Sequence, residues 1–195
     1  PIIWSCVATW PARACCGALQ RVAGEVVRGR TYRRRYVPEG SGPAAVLASA
    51  NRILHERQLV EYYCTLCYAV FDVRQRTVTL ANSGLPYPIR HTAGETAPVD
   101  LTGVPLGSFP DVQYDEVVLP LSVGDVFVFC TDGVYETFDE QGRELGRQAI
   151  VDVVQAHATR PAQEIVRAIF GTASRFQGDA RQHDDRTAVV VKMTA

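Results

Sequence analysis

Apolar residues along this chain follow two different periods, and the changes between them divide the sequence. Val46, Leu47, Ala50, Ile53 and Leu54 recur at helical spacing toward Arg57, with Ser41 placed to cap that helix and Pro43 suited to its first turn. Residues 62–73, 77–82, 87–91, 114–121 and 126–130 are instead rich in β-branched and aromatic side chains and are separated by turn formers, which predicts five consecutive strands. Helical spacing returns over 144–157 and 161–176, and residues 187–193 read as a last strand.

Upstream, Leu19, Val22, Ala23 and Val26 suit an amphipathic helix ending near Gly29. The opening run PIIWSCVATWPARACCG shows neither period, so residues 1–20 carry no assigned element and residues 21–195 form the expected domain. Helices followed by a block of strands, then helices and one more strand, point to an α+β domain with antiparallel pairing, in which helices cover apolar sheet faces. Repeats, linkers and low-complexity tracts are absent from the sequence.

The chain's 195 residues, 47% of them hydrophobic, suit one domain able to bury about 70% of its unfolded surface. With 20 Lys plus Arg against 21 Asp plus Glu, no global field draws the chain to nucleic acid or to a membrane. The basic run Arg28, Arg30, Arg33, Arg34 and Arg35 fits a helix C-terminus, where cations complement the dipole, better than a nucleic-acid patch. No apolar stretch approaches the about 18 residues of a membrane helix, and Pro11, Arg13 and Gly17 break any signal peptide, so a cytoplasmic protein is expected.

Cysteines 6, 15, 16, 64, 67 and 130 lack the spacing of a secreted disulfide scaffold. Cys64 and Cys67 form a C-x-x-C pair, but it falls in a strand, where residues three apart face opposite ways and cannot easily share one metal or one disulfide. His55, His91, His157 and His183 show no metal-ligand spacing, which argues against a histidine zinc site. His183 adjoins Asp184 and could orient a carboxylate or a water, yet a loop histidine with no role accounts for it better.

The segment FVFCTDGVYE delivers Asp132 to the end of a wholly apolar strand, and Gly133 then turns the backbone. A carboxylate held there would suit a hard divalent cation, which prefers oxygen donors, although Asp-Gly also simply makes turns. RQHDDRTAVVVKM sets Asp184 and Asp185 directly before the last strand, so carboxylates distant in sequence could meet at adjacent strand ends. Carboxylates around Mg2+ or Mn2+ can activate water for in-line attack on a phosphoryl group, while a solvated acidic turn is the simpler reading.

The series YCTLCYAVFD, LANSGLPYPI, GVPLG, LSVGDVFVFCTDGVYE, ELG and HDDRTAVVV resembles, in order and approximate spacing, the bacterial PPM-type protein serine/threonine phosphatases of the SpoIIE branch. The resemblance runs from about Val22 to the C-terminus, and the T-D-G plus D-D-x-T pair is its most specific part. It implies a central antiparallel β-sandwich flanked by helices in αββα layers. It also implies two Mn2+ or Mg2+ ions whose bridging water attacks phosphoserine or phosphothreonine, and a phosphorylated anti-sigma-factor antagonist as protein partner. Carried over by position, Asp132 and Asp184 are the catalytic metal ligands, and Gly133 and Asp185 complete the candidate metal site.

Three departures accompany the resemblance. The family's G-D-x-x-D and D-x-S-G-x-G motifs do not occur in this chain, so its first strands and the carboxylate expected to bridge the metals are missing. Leu85 stands where many relatives carry His, in a segment whose Gly84 and Pro86 shape a turn, as Gly124 and Asp125 do before the T-D-G strand. A phosphatase and a non-catalytic phosphoprotein-binding module therefore both remain open, and a sheet edge left uncovered by residues 1–20 would favour a homodimer.

Overall fold

The computed structural model describes residues 2–9, 41–56 and 64–194; the helix expected over Leu19 to Gly29 and the arginine run after it lie outside them. The chain divides into two compact units, residues 1–85 with 101–120, and residues 86–100 with 121–195. Each unit contains one four-stranded antiparallel sheet, flanked among the described residues by one helix in the first unit and by three in the second, which is the α+β class expected.

The first sheet has the order β1-β2-β3-β6, formed by Ile2–Thr9, Thr65–Asp72, Thr77–Asn82 and Glu116–Pro120. β1 corrects the expectation for the opening segment: residues without alternation nonetheless pair with all of β2, from Ile2 opposite Asp72 to Thr9 opposite Thr65. Backbone pairing needs no particular side-chain period, which is why periodicity missed it.

Helix α1, Pro43–Glu56, flanks this sheet. Pro43 begins it, as expected, and the Ala44 amide donates to the Glu116 carboxylate at 3.1 Å. Beneath α1, Val46 and Leu47 meet Cys64, Leu66, Tyr68, Ala81, Leu106 and Tyr114. Cys64, Leu66 and Tyr68 share that cluster and the buried Cys67 does not, as strand alternation requires of the C-x-x-C pair.

α1 also carries a fully buried Asn51, which pins the loop after residue 106. Its amide donates to the Phe109 and Pro110 carbonyls at 2.9 and 3.0 Å and accepts from the Gly107 amide at 2.8 Å.

In the second unit the sheet order is β5-β4-β7-β8, with β4 Ile89–Thr92, β5 Glu95–Pro98, β7 Val126–Cys130 and β8 Ala188–Lys192. β5 was not expected. It is a four-residue strand returned by a two-residue turn in which Ala93 has φ 50° and Gly94 φ 86°.

Helices α3, Gly146–His157, and α4, Ala162–Gln177, pack on this sheet through Ile150, Val151, Val154, Ile165 and Ile169, meeting Ile89, Val126, Val128 and Cys130. Residues 165, 169 and 173 of α4 are buried at four-residue spacing, the stripe that the sequence pattern anticipates. The Gly124–Asp125 turn is also present, with φ 95° at Gly124 and the Asp125 amide donating to the Ser122 carbonyl.

Candidate functional site

All five residues of β7 are buried, so its C-terminal end is a fixed platform, and the chain there enters α2, the one-turn helix Asp132–Tyr135. This replaces the plain Asp-Gly turn expected from sequence: Gly133 keeps an ordinary backbone conformation, and Glu136 N–H donates to the Asp132 carbonyl at 2.8 Å. Gly133 is needed for space instead. A Cβ on it would overlap the carbonyl oxygen of Asp185 and lie 3.3 Å from Cβ of Asp184.

That close approach brings the two acidic segments together, and Thr131 fastens them. Thr131, 1% exposed, donates its amide to the Thr187 carbonyl at 3.0 Å. Its Oγ1 accepts from the Thr187 amide at 3.0 Å and donates to the Asp185 carbonyl at 3.3 Å. Thr137 closes α2 from its other end, donating to the carbonyls of Gly133 and Val134. Sequence reasoning gave these threonines no role, although Thr131 and Thr187 are the threonines of the T-D-G and D-D-x-T motifs; Thr137 carried no signal.

The carboxylates order the local backbone as well. Asp132 Oδ1 accepts from the Gly133 amide at 3.0 Å, and Asp184 Oδ1 accepts from the Asp185 amide at 2.7 Å. Asp132 is half-buried, whereas Asp184 and Asp185 are exposed. Gln182 donates to the Asp184 carbonyl at 2.8 Å, Arg186 donates to Gln177 at the end of α4, and the ring of His183 stands edge-on to Phe138 with centroids 5.6 Å apart.

Side chains behind the site are apolar or held. Burial pushes the Cys130 thiol up to about 12, so it remains a protonated core side chain. Burial also raises the Tyr135 phenol, and the Arg147 guanidinium lies over the Tyr135 and Tyr87 rings at 5.5 and 5.2 Å.

Asp132, Asp184 and Asp185 are hard oxygen donors of the kind Mg2+ and Mn2+ prefer. Among the described residues, however, no group of three or more His, Cys, Asp or Glu side chains gathers to hold a metal ion. The described residues alone therefore do not make up a complete two-ion centre.

The fold is that of PP2C-type phosphatase domains, as two solved structures show. The phosphatase domain of SpoIIE from Bacillus subtilis, solved with a fragment of its regulatory domain, matches over 98% of this chain and 55% of its own, with a TM-score of 0.77 and 18% identity. The catalytic domain of the serine/threonine phosphatase PstP, in complex with two manganese ions, matches over 100% of this chain and 88% of its own, with a TM-score of 0.67 and 16% identity.

The family profile of Stage II sporulation protein E (SpoIIE) matches residues 21–194, and the chain belongs to this family of serine phosphatases. Among curated proteins it is similar to the phosphoserine phosphatase RsbU of Bacillus subtilis, 29% identical over 164 residues that cover 83% of this chain and 48% of RsbU. The chain thus spans about half the length of that relative.

Proposed function

We propose that this chain is a phosphoserine/phosphothreonine protein phosphatase domain of sigma-factor signalling, acting in the cytoplasm on a phosphorylated anti-sigma-factor antagonist. Asp132 and Asp184 are its catalytic metal-ligand positions, with Asp185 and Gly133 completing that edge of the site. The observation that carries the reading is the seat of Gly133 on the Asp184–Asp185 backbone, which joins the two acidic loops of a SpoIIE-family chain. Similarity to RsbU supports the phosphoserine substrate class, and the manganese ions of PstP support Mn2+ or Mg2+ as the cofactor.

A second reading is a non-catalytic module that keeps the fold and binds phosphoprotein. It is favoured by the absence of a third converging ligand among the described residues. Phosphate release from a phosphoserine protein and from an aryl phosphate, measured across a Mn2+ series beside Asp132→Asn, separates the two. Release lost in Asp132→Asn supports the enzyme and requires a further carboxylate to complete its centre. No release at any Mn2+ concentration, with the fold intact by circular dichroism, establishes the non-catalytic module.

A further inference from the structure

Arg147 lies in the first turn of α3, a turn that holds no acidic residue and whose cap, Leu145, supplies no side-chain hydrogen bond. The helix dipole is positive at this end and disfavours a cation, so helix stability does not account for an arginine here. The half-buried side chain instead places its guanidinium over two aromatic rings, 5.2 Å from the centroid of Tyr87 and 5.5 Å from that of Tyr135. Arg90 and Arg143 are each bonded to an aspartate, Arg175 to Thr172 and Arg186 to Gln177. Among the described residues Arg147 has no such acceptor, and Glu144, three positions earlier and exposed, does not pair with it.

The rings also fix where the guanidinium stands. Tyr135 ends α2, the one-turn helix that begins with Asp132, and the Leu145 amide donates to the Thr137 carbonyl at 2.8 Å, so α3 starts against the end of α2. Ile89 lies opposite Val128 in the antiparallel β4–β7 pair, so Tyr87, two residues before it, comes at the end of β7 from which the chain passes to Asp132. All of these residues belong to the second unit. A planar fork of N–H donors is therefore held by stacking at the same end of the sheet as the candidate site.

We infer that Arg147 is an oxyanion-recognition residue beside the Asp132 site, its fork gripping two oxygens of one phosphoryl or carboxylate group on the phosphoprotein. The fork geometry matches both groups, which share two oxygens in one plane, and the stacked rings pre-organise it so that little side-chain freedom is lost on binding. The inference rests on the phosphoprotein partner of the proposed function, in either of its two readings, and not on turnover.

NMR of the Arg147 Nε–H group in the whole chain, with Mg2+ present, tests this with two probes that cannot be hydrolysed: inorganic phosphate, and an unphosphorylated peptide rich in Glu. The expected result is a saturable shift of that resonance with at least one probe. Saturation by phosphate alone identifies a phosphoryl group as the ligand, and saturation by the peptide alone identifies a carboxylate. With the Gln148 amide as reporter, Arg147→Lys, which keeps the charge and loses the fork, should weaken binding about tenfold, and Arg147→Gln should abolish it. Circular dichroism checks both folds, and the Lys variant carries the comparison if the Gln variant unfolds.

No saturable shift with either probe overturns the inference. Equal affinity in wild type and Arg147→Lys overturns it as well, because the anion is then held by Mg2+ or by general charge. A chain that releases no phosphate at any Mn2+ concentration, yet shows the fork-dependent shift, fails as an enzyme and retains this recognition residue.

Discussion

Thr131 and Thr187 are bound to each other in both directions: the Thr131 amide donates to the Thr187 carbonyl, and the Thr187 amide donates to Thr131 Oγ1, each at 3.0 Å. The second bond takes the place of the backbone carbonyl that would continue the ladder. The strands are thus locked at the point where the chain leaves the sheet on both sides, just before Asp132 and just after Asp185. Acidic residues on exposed loops gain a fixed relative position because the residues behind them are held by a buried hydroxyl.

Thr131→Val keeps the shape and removes the hydroxyl, leaving the Thr187 amide without its acceptor and the Asp185 carbonyl without a donor. Asp185 and Thr187 are exposed, so water can reach both groups and the loss on urea unfolding should be that of the hydrogen bonds themselves, about 0.5–1.5 kcal/mol. Thr131→Ser keeps the oxygen and should recover most of it. A Val variant as stable as wild type would mean that water satisfies both groups and that the lock contributes nothing.

Gly133→Ala tests the seat of one loop on the other. The added Cβ meets the backbone carbonyl of Asp185, which cannot rotate out of the way as a flexible side chain could. Overpacking of this kind costs about 1–3 kcal/mol, and relief requires residues 184–185 to move outward. The variant should melt lower than wild type, and amide chemical shifts at Asp185 and Thr187 should change more than those of α1. An unchanged melting temperature would show that the loops separate freely.

The sequence displayed the site's acidic residues more clearly than the means of holding them. β3 and β7 have the expected boundaries because their buried runs are compact and bounded by turn residues. β5 was hidden, since Glu95–Pro98 has no apolar alternation, and the turn before it relies on Ala93 adopting a positive φ that the residue type does not advertise. α2 was hidden by its length: one turn of helix has no period to read. Thr131 and Thr187 are ordinary strand residues by propensity, and only tertiary pairing gives them their role.

Asn82, buried within the first unit, also acts through tertiary bonds: its amide donates to the Leu85 and Leu101 carbonyls at 2.8 and 2.9 Å, and its Oδ1 accepts from the Leu85 amide at 3.1 Å. Asn82→Asp keeps the acceptor but turns an oxygen toward two carbonyls that need a donor. The expected loss is about 3 kcal/mol or more at pH 7. Protonation restores one donor, so the deficit should narrow as pH falls. A deficit independent of pH would show that charge is not its cause.

Arg90 and Asp125 give the second unit an acid-sensitive pair, with NH2 and Oδ2 2.9 Å apart and side chains 14% and 2% exposed. Burial by itself would raise the Asp125 carboxyl, but hydrogen bonds from Arg90, Thr92 and the Ser122 amide outweigh it and hold the group below the usual carboxylate range. A folded value below the unfolded one means that this stabilisation is present above about pH 4 and is lost as pH falls through the folded value. Denaturation midpoints measured from pH 7 down to pH 3 should fall more steeply for wild type than for Asp125→Asn. Some slope should remain in that variant, because hydrogen bonds from Arg143 and Gln141 overcome burial to lower Asp139 too. Arg90→Met, which leaves the Asp125 carboxylate buried without its cation, should cost about 3–5 kcal/mol at pH 7 and less in acid. Parallel curves for wild type and Asp125→Asn would exclude this pair as a source of acid sensitivity.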